Sequence, residues 1–150
     1  MTDADKRSEK FFQEYLGGAS LAFGVVLLAF QILGAYYASA GIEEESIIRY
    51  ADAFFIFFVG VHIAGGALGG YLVGRRRSEK FARAGLLTSI AAYVIEYAYY
   101  LVFERSFPGS LWAVLSLTSG GLFGSLVARA KQGPAARQPI SVREGSLENT

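Results

Sequence analysis

The sequence contains no cysteine and only one histidine. The lack of cysteine excludes disulfide bonds, thiolate catalysis and every metal site that depends on cysteine ligands. The single histidine leaves no second imidazole for bis-histidine ligation of haem within one chain. The sequence also lacks a nucleophile elbow, a phosphate-binding loop and a cluster of metal ligands. It therefore predicts a protein that is not an enzyme and that holds no cofactor and no metal.

Charged residues are also scarce, at 18% of the chain, whereas soluble proteins have about 25%. A net charge of only +1 gives no reason to expect nucleic acid as a partner. Four apolar stretches carry few of the charges: Leu16–Ser39, Ala51–Gly74, Ala82–Phe103 and Gly109–Ala128. Each is about 20 to 24 residues long, enough for an α-helix to cross a lipid bilayer.

These stretches predict an all-α fold, a bundle of four transmembrane helices within residues 1–131. Four buried helices of a soluble protein would show polar faces instead. The segment from Gln132 to Thr150 contains glycine, two prolines and many polar residues. This composition predicts a disordered cytoplasmic tail over residues 132–150.

The basic residues are unevenly distributed around the four spans. Twelve belong to the N-terminal segment, the central loop and the C-terminal end, namely Lys6, Arg7, Lys10, Arg75, Arg76, Arg77, Lys80, Arg83, Arg129, Lys131, Arg137 and Arg143. Only Arg49 and Arg105 lie in the other two loops. By the positive-inside rule, we expect a multi-pass protein of the cell membrane with both termini and the central loop in the cytoplasm. The basic central loop, Arg75–Arg83, would then anchor this topology at lipid headgroups.

A short motif at the end of the first span allows a second interpretation. Ala38-Ser39-Ala40 is similar to a signal-peptidase site that follows a basic start and an apolar run. The apolar region of a signal peptide is only about 7 to 15 residues long, and this one is longer. We therefore expect the first span to be retained, with cleavage as the alternative.

Glycines are concentrated in the second and fourth spans, at Gly65, Gly66, Gly69, Gly70, Gly74, Gly120, Gly121 and Gly124. Each would cost a soluble helix roughly 1 kcal/mol relative to alanine. Membrane helices, in contrast, associate through small residues that allow close backbone contact. We therefore predict that these glycines pack helices together. "GGALGG" (65–70) and "GGLFGS" (120–125) also suggest two helical hairpins related as a parallel repeat, although packing interfaces converge readily.

The segment "VGVHIAGGALGGYLVGRRRSEKFARAGLL" (59–87) resembles small four-span, Gly-Gly-rich integral membrane proteins of unknown function from bacteria and archaea. In those proteins, a Gly-Gly-x-x-Ala/Gly-Gly helix runs into a basic turn and then a second glycine-containing helix. The resemblance implies a four-span fold and supplies no activity.

Each span contains one conspicuous polar residue: Gln31, His62, Glu96 and Ser116. All four lie about 18 to 23 Å from the cytoplasmic end of their helices. Small residues share their helix faces, so we expect the four side chains to point into the bundle. This polar layer either fixes the register of the helices, or forms an ion or proton site in which Glu96 binds a proton or cation and His62 titrates beside it.

The two interpretations of the layer lead to two functions. A structural layer favours a packing, accessory or assembly component of the membrane, which self-associates or binds a membrane-protein partner. A titrating layer favours a small transporter or channel that uses Glu96 and His62.

Overall fold

The computed structural model describes residues 3–42, 51–77, 80–103 and 111–132. It contains four long helices: α1 (Asp3–Ala40), α2 (Ala51–Arg76), α3 (Phe81–Phe103) and α4 (Leu111–Lys131). All four are long and apolar enough to cross a membrane. The predicted all-α bundle of four transmembrane helices is confirmed, and the chain is a small multi-pass membrane protein.

The helix boundaries follow the predicted spans closely, except at the start of α1. This helix begins at Asp3, well before the predicted span that starts at Leu16. Hydropathy identifies only the part of a helix that lies in hydrocarbon, whereas a polar segment outside the bilayer can continue the same helix.

A glycine ends α1. Gly41 has a φ of +62°, which a residue without Cβ adopts at no steric cost. The Ile42 N–H donates to the Tyr37 carbonyl over 3.1 Å, and the Gly41 N–H donates to the Ala38 carbonyl over 3.4 Å. This is the Schellman arrangement, which satisfies carbonyls that the helix end would leave unpaired.

The helices run up and down in alternation, and α2 and α3 lie between the other two. Both α2 and α3 pack against each other and against α1 and α4, while α1 and α4 touch only marginally within the described residues. The contact between α2 and α4 is the most extensive. A side chain on the facing sides of α2 and α3 therefore lies near the bundle axis.

The interior of the bundle consists mainly of small side chains. Its largest buried cluster joins Ala19 and Ala22 of α1 to Ala92 of α3 and Leu117 of α4. Large apolar side chains such as Leu28, Ile32 and Val102 are instead exposed on the outside of the bundle. Lipid solvates such a surface as well as a protein interior does, so the large residues gain little from burial and the small ones allow close packing.

All eight glycines predicted to pack helices are buried. An added Cβ at Gly66 would collide with the carbonyl oxygen of Leu117, and one at Gly74 would lie 2.8 Å from the Ser125 Cα atom. On the other side of α2, an added Cβ at Gly65 would lie 2.6 Å from the Ala22 carbonyl oxygen. The backbone of α2 is thus in direct contact with α1 and with α4.

Several predictions concern residues outside the described part of the chain. These are the tail beyond Gln132, with Arg137 and Arg143, and the two basic residues Arg49 and Arg105. They remain predictions from the sequence.

Candidate functional site: a buried histidine–glutamate pair

His62 of α2 and Glu96 of α3 meet near the bundle axis. The Nε2 atom of His62 lies 3.2 Å from Oε1 of Glu96. The His62 side chain is fully buried, and that of Glu96 is 5% exposed. Two of the four polar residues expected at one depth are therefore in direct contact.

The hydrogen-bond partner of the second ring nitrogen of His62 indicates where the hydrogens of this pair lie. Nδ1 lies 2.7 Å from the carbonyl oxygen of Phe58, one turn earlier in α2. A carbonyl can only accept a hydrogen bond, so Nδ1 carries a hydrogen. The short contact between Nε2 and Glu96 then requires one proton between the two atoms, because two bare acceptors would repel each other.

That proton gives either an imidazolium beside a carboxylate or a neutral imidazole beside a carboxylic acid. Both forms have zero net charge. A buried net charge would be strongly unfavourable, whereas a neutral, hydrogen-bonded pair is tolerated. The arrangement can therefore persist within a membrane without any bound ion.

Aromatic rings surround His62. The Phe58 ring centroid lies 4.2 Å from that of His62, and the Phe30 ring of α1 meets the imidazole edge-on at 6.1 Å. Phe30 also contacts Phe54 and Phe57. Phe54, Phe57 and Phe58 precede His62 in α2, so they lie on the side of His62 that is away from the basic end of this helix.

The other two residues of the expected layer, Ser116 and Gln31, are not hydrogen-bond partners of His62. Ser116 is buried on α4, with 4% of its surface exposed, but the hydrogen bonds of His62 run to Phe58 and Glu96. Gln31 contradicts the expectation, because its side chain is exposed on the outside of α1.

The reason for the error at Gln31 lies in the small residues of α1. We expected Gly24, Gly34 and Ala38 to mark the packed face, but all three are exposed. The buried face instead follows a set of four residues at helical spacing, Tyr15, Ala19, Ala22 and Val26. Phe30 continues this face, and Gln31 lies about 100° away from it.

Sequence reasoning missed a polar contact between α3 and α4. The hydroxyl of Ser89 is buried and lies 2.8 Å from the Leu117 carbonyl of α4 and 2.9 Å from the Gly85 carbonyl of its own helix. An added Cβ at Gly85 would lie 2.7 Å from the Ser125 hydroxyl oxygen. The four-residue spacing of Gly85 and Ser89 was the available signal, since it places two small residues on one face.

The predicted headgroup residues lie together at the opposite end of the bundle from the aromatic rings. Arg77 forms a 2.9 Å ion pair with Glu14 of α1. Arg75 lies over the ring of Tyr71, with 5.9 Å from its guanidinium carbon to the ring centroid. Arg76, Lys80 and Arg83 are exposed, as headgroup contacts require.

A cavity of about 560 Å³ opens at the aromatic end. All four helices contribute to its walls, which consist of Phe30, Ala51, Phe54, Phe55, Phe58, Tyr100 and Trp112. Phe30 and Phe58 also contact His62, so these two rings lie against both the cavity and the buried pair.

No known protein family, curated protein or solved structure matches this chain. The resemblance to small Gly-Gly-rich membrane proteins therefore stays a prediction, and the function has to be argued from the chain itself.

Proposed function

We propose that the protein is a packing or assembly component of the cell membrane that associates with a second copy of itself through α1. The observation that carries this proposal is the exposed amide of Gln31 within an apolar span. Polar side chains in membrane helices are costly when they face lipid, and they commonly form hydrogen bonds between helices.

A second copy of the chain is the simplest partner for this amide. Glutamine has both a hydrogen-bond donor and an acceptor, so two Gln31 side chains complement each other. In a two-fold symmetric dimer, a residue near the axis meets its own counterpart. None of the described residues forms a hydrogen bond with the Gln31 side chain within the chain.

The residues around Gln31 support close approach of another helix. Gly24, Gly34, Ala35 and Ala38 lie three, four or seven positions away and are exposed. An added Cβ at Gly24 or Gly34 would meet no atom within 4 Å. Small residues beside a polar one are typical of interfaces between membrane helices.

The state of the buried pair also supports a structural role. His62 and Glu96 are hydrogen-bonded to each other, and His62 also to the Phe58 carbonyl, so the contact is complete without a ligand. Below them, the backbone contacts of Gly66, Gly70 and Gly74 hold α2 against α4. Such contacts favour a static packing layer over a pathway through the bundle.

Energy transfer between differently labelled copies of the chain in lipid vesicles tests this interface, because the transfer depends on the distance between the labels. Gln31→Leu replaces the amide with an apolar side chain of similar length. Dimerisation should then weaken about fivefold, as expected for the loss of roughly 1 kcal/mol of interhelical hydrogen bonding. Ile32→Leu changes a neighbour that is also exposed and should leave the energy transfer unchanged. Equal association of the wild type and Gln31→Leu would refute the proposed interface.

Transport is a second candidate, because Glu96 is a buried ionisable residue within a membrane-spanning helix, and such residues commonly mark ion or proton pathways. Under this alternative, Glu96→Gln would fold normally and abolish proton-coupled flux in liposomes. Under the assembly proposal, neither the wild type nor the variant conducts protons above the rate of empty vesicles.

A further inference from the structure

A cleft of about 330 Å³ lies between α1 and α2 at the basic end of the bundle. Its polar mouth is formed by Gln13, Glu14 and Arg76, and its deeper walls by Leu21 and Leu72. The distance along α1 from Gln13 to Leu21 is about 12 Å. The cleft therefore runs from the polar boundary into the hydrocarbon layer, which is the path that a lipid molecule follows.

Arg76, which lines the mouth, and its chain neighbour Arg77 differ in their electrostatic surroundings. Arg77 lies 2.9 Å from the carboxylate of Glu14, so these two charges balance each other. Arg76 is exposed, and no described acidic side chain forms an ion pair with it. Among the described residues, Arg76 is thus the charge at the mouth that no carboxylate balances, and it complements an anion.

Two adjacent glycines give the α1 wall of the cleft its shape. An added Cβ at Gly18 would lie 2.5 Å from the Val73 Cγ2 atom, so Gly18 sits at the contact between the helices. An added Cβ at Gly17 would meet no atom within 4 Å. Gly17 thus leaves open space beside a tight helix contact, and a larger residue there would fill the cleft without disturbing the bundle.

We propose that this cleft binds one anionic phospholipid. Its phosphate group pairs with the Arg76 guanidinium, and one acyl chain lies over Gly17 between Leu21 and Leu72. A lipid fits these features better than a free anion does, because only the mouth is polar and the deeper walls are apolar. This site differs from general attraction to the basic loop, since it requires both one particular arginine and an open groove. It does not depend on the association through α1.

Native mass spectrometry of the full chain tests this site. The protein is released from micelles that contain equal amounts of phosphatidylglycerol and phosphatidylcholine with identical acyl chains. We expect the wild type to retain one phosphatidylglycerol. Arg76→Gln should lower the preference for phosphatidylglycerol about fivefold, as expected when one basic residue near a headgroup is removed. Gly17→Leu should lose the bound lipid of either kind.

Gly60→Leu is the matched control, because an added Cβ at Gly60 also meets no atom within 4 Å but lies in α2 away from the cleft. It should retain the lipid as the wild type does. The proposal is overturned if Gly17→Leu binds as much phosphatidylglycerol as Gly60→Leu. This holds even when Arg76→Gln reduces binding, because a loss of binding in Arg76→Gln alone indicates general electrostatic attraction. It is also overturned if Arg76→Gln, a change at an exposed position, leaves the preference unaltered.

Discussion

The Nε2 atom of His62 lies 3.2 Å from Oε1 of Glu96, while its Nδ1 atom is held 2.7 Å from the Phe58 carbonyl. Because Nδ1 donates to that carbonyl, the contact with Glu96 holds a single proton between Nε2 and Oε1, and a neutral pair avoids the cost of a buried net charge. It joins the two helices that lie between α1 and α4. A polar contact at this place specifies how α2 and α3 align without burying net charge.

We predict that Glu96→Gln is tolerated much better than Glu96→Ala. The amide of glutamine can hydrogen-bond to a neutral His62, so the free energy of unfolding should fall by less than about 1 kcal/mol. Alanine leaves a buried ring nitrogen without a partner, which costs about 1 to 3 kcal/mol. Denaturation in mixed micelles measures both. Equal losses for the two variants would show that the carboxyl proton or charge itself is required.

Gly66→Leu should destabilise the bundle, because a Cβ at this position collides with the backbone of α4. Overpacked interiors typically lose about 1 to 3 kcal/mol. Gly60→Leu makes the same chemical change on the same helix where there is open space, and it should be neutral or slightly stabilising because leucine favours helix. Thermal unfolding in detergent compares the two. If both variants unfold at the same temperature, the glycine contact contributes nothing to stability.

Ser89 and Thr88 are adjacent, buried and hydrogen-bonded, but only Ser89 bonds across helices. Its hydroxyl lies 2.8 Å from the Leu117 carbonyl of α4, whereas the Thr88 hydroxyl donates to Ala84 of its own helix over 2.8 Å. Ser89→Ala should therefore lower the free energy of unfolding by about 0.6 kcal/mol, the average for such interhelical bonds. Thr88→Val keeps its shape and should cost less. A larger loss for Thr88→Val than for Ser89→Ala would contradict this assignment.

The number and type of the helices could be predicted from the sequence, because long apolar stretches have few alternatives in a lipid bilayer. The contact between His62 and Glu96 could also be anticipated, since both residues lie at the same depth in helices that contain few other polar groups. Depth follows from counting residues along a helix, and it does not depend on how the helices pack.

The rotation of α1 could not be predicted in the same way. Glycine and alanine occur on both sides of this helix, so small residues do not reveal which side packs inward. The choice depends on the fit of Ala19 and Ala22 against Ala92 and Leu117, which are distant in the sequence. Ser89 was missed for the same reason. Its hydroxyl bonds to another helix only because the folded bundle places the Leu117 carbonyl nearby.

The basic residues predict the orientation of the protein in the membrane, since twelve belong to the N-terminal segment, the central loop and the C-terminal end, and two belong to the other loops. We predict that reporter domains fused after Lys131 or inserted in the Arg75–Arg83 loop are cytoplasmic. A reporter in the Glu43–Glu45 loop should face outward. An external signal from the central loop would reverse the arrangement.

The most direct test of association through α1 uses the absence of cysteine in the chain. Ala35→Cys places a single thiol beside Gln31 on the proposed interface and keeps the amide, and Val94→Cys places one on the exposed face of α3, with 57% of the original residue exposed. Under mild oxidation in native membranes, we predict that Ala35→Cys forms disulfide-linked dimers several-fold faster than Val94→Cys, and that an excess of cysteine-free chain suppresses them. Equal rates for the two variants would contradict the proposed interface.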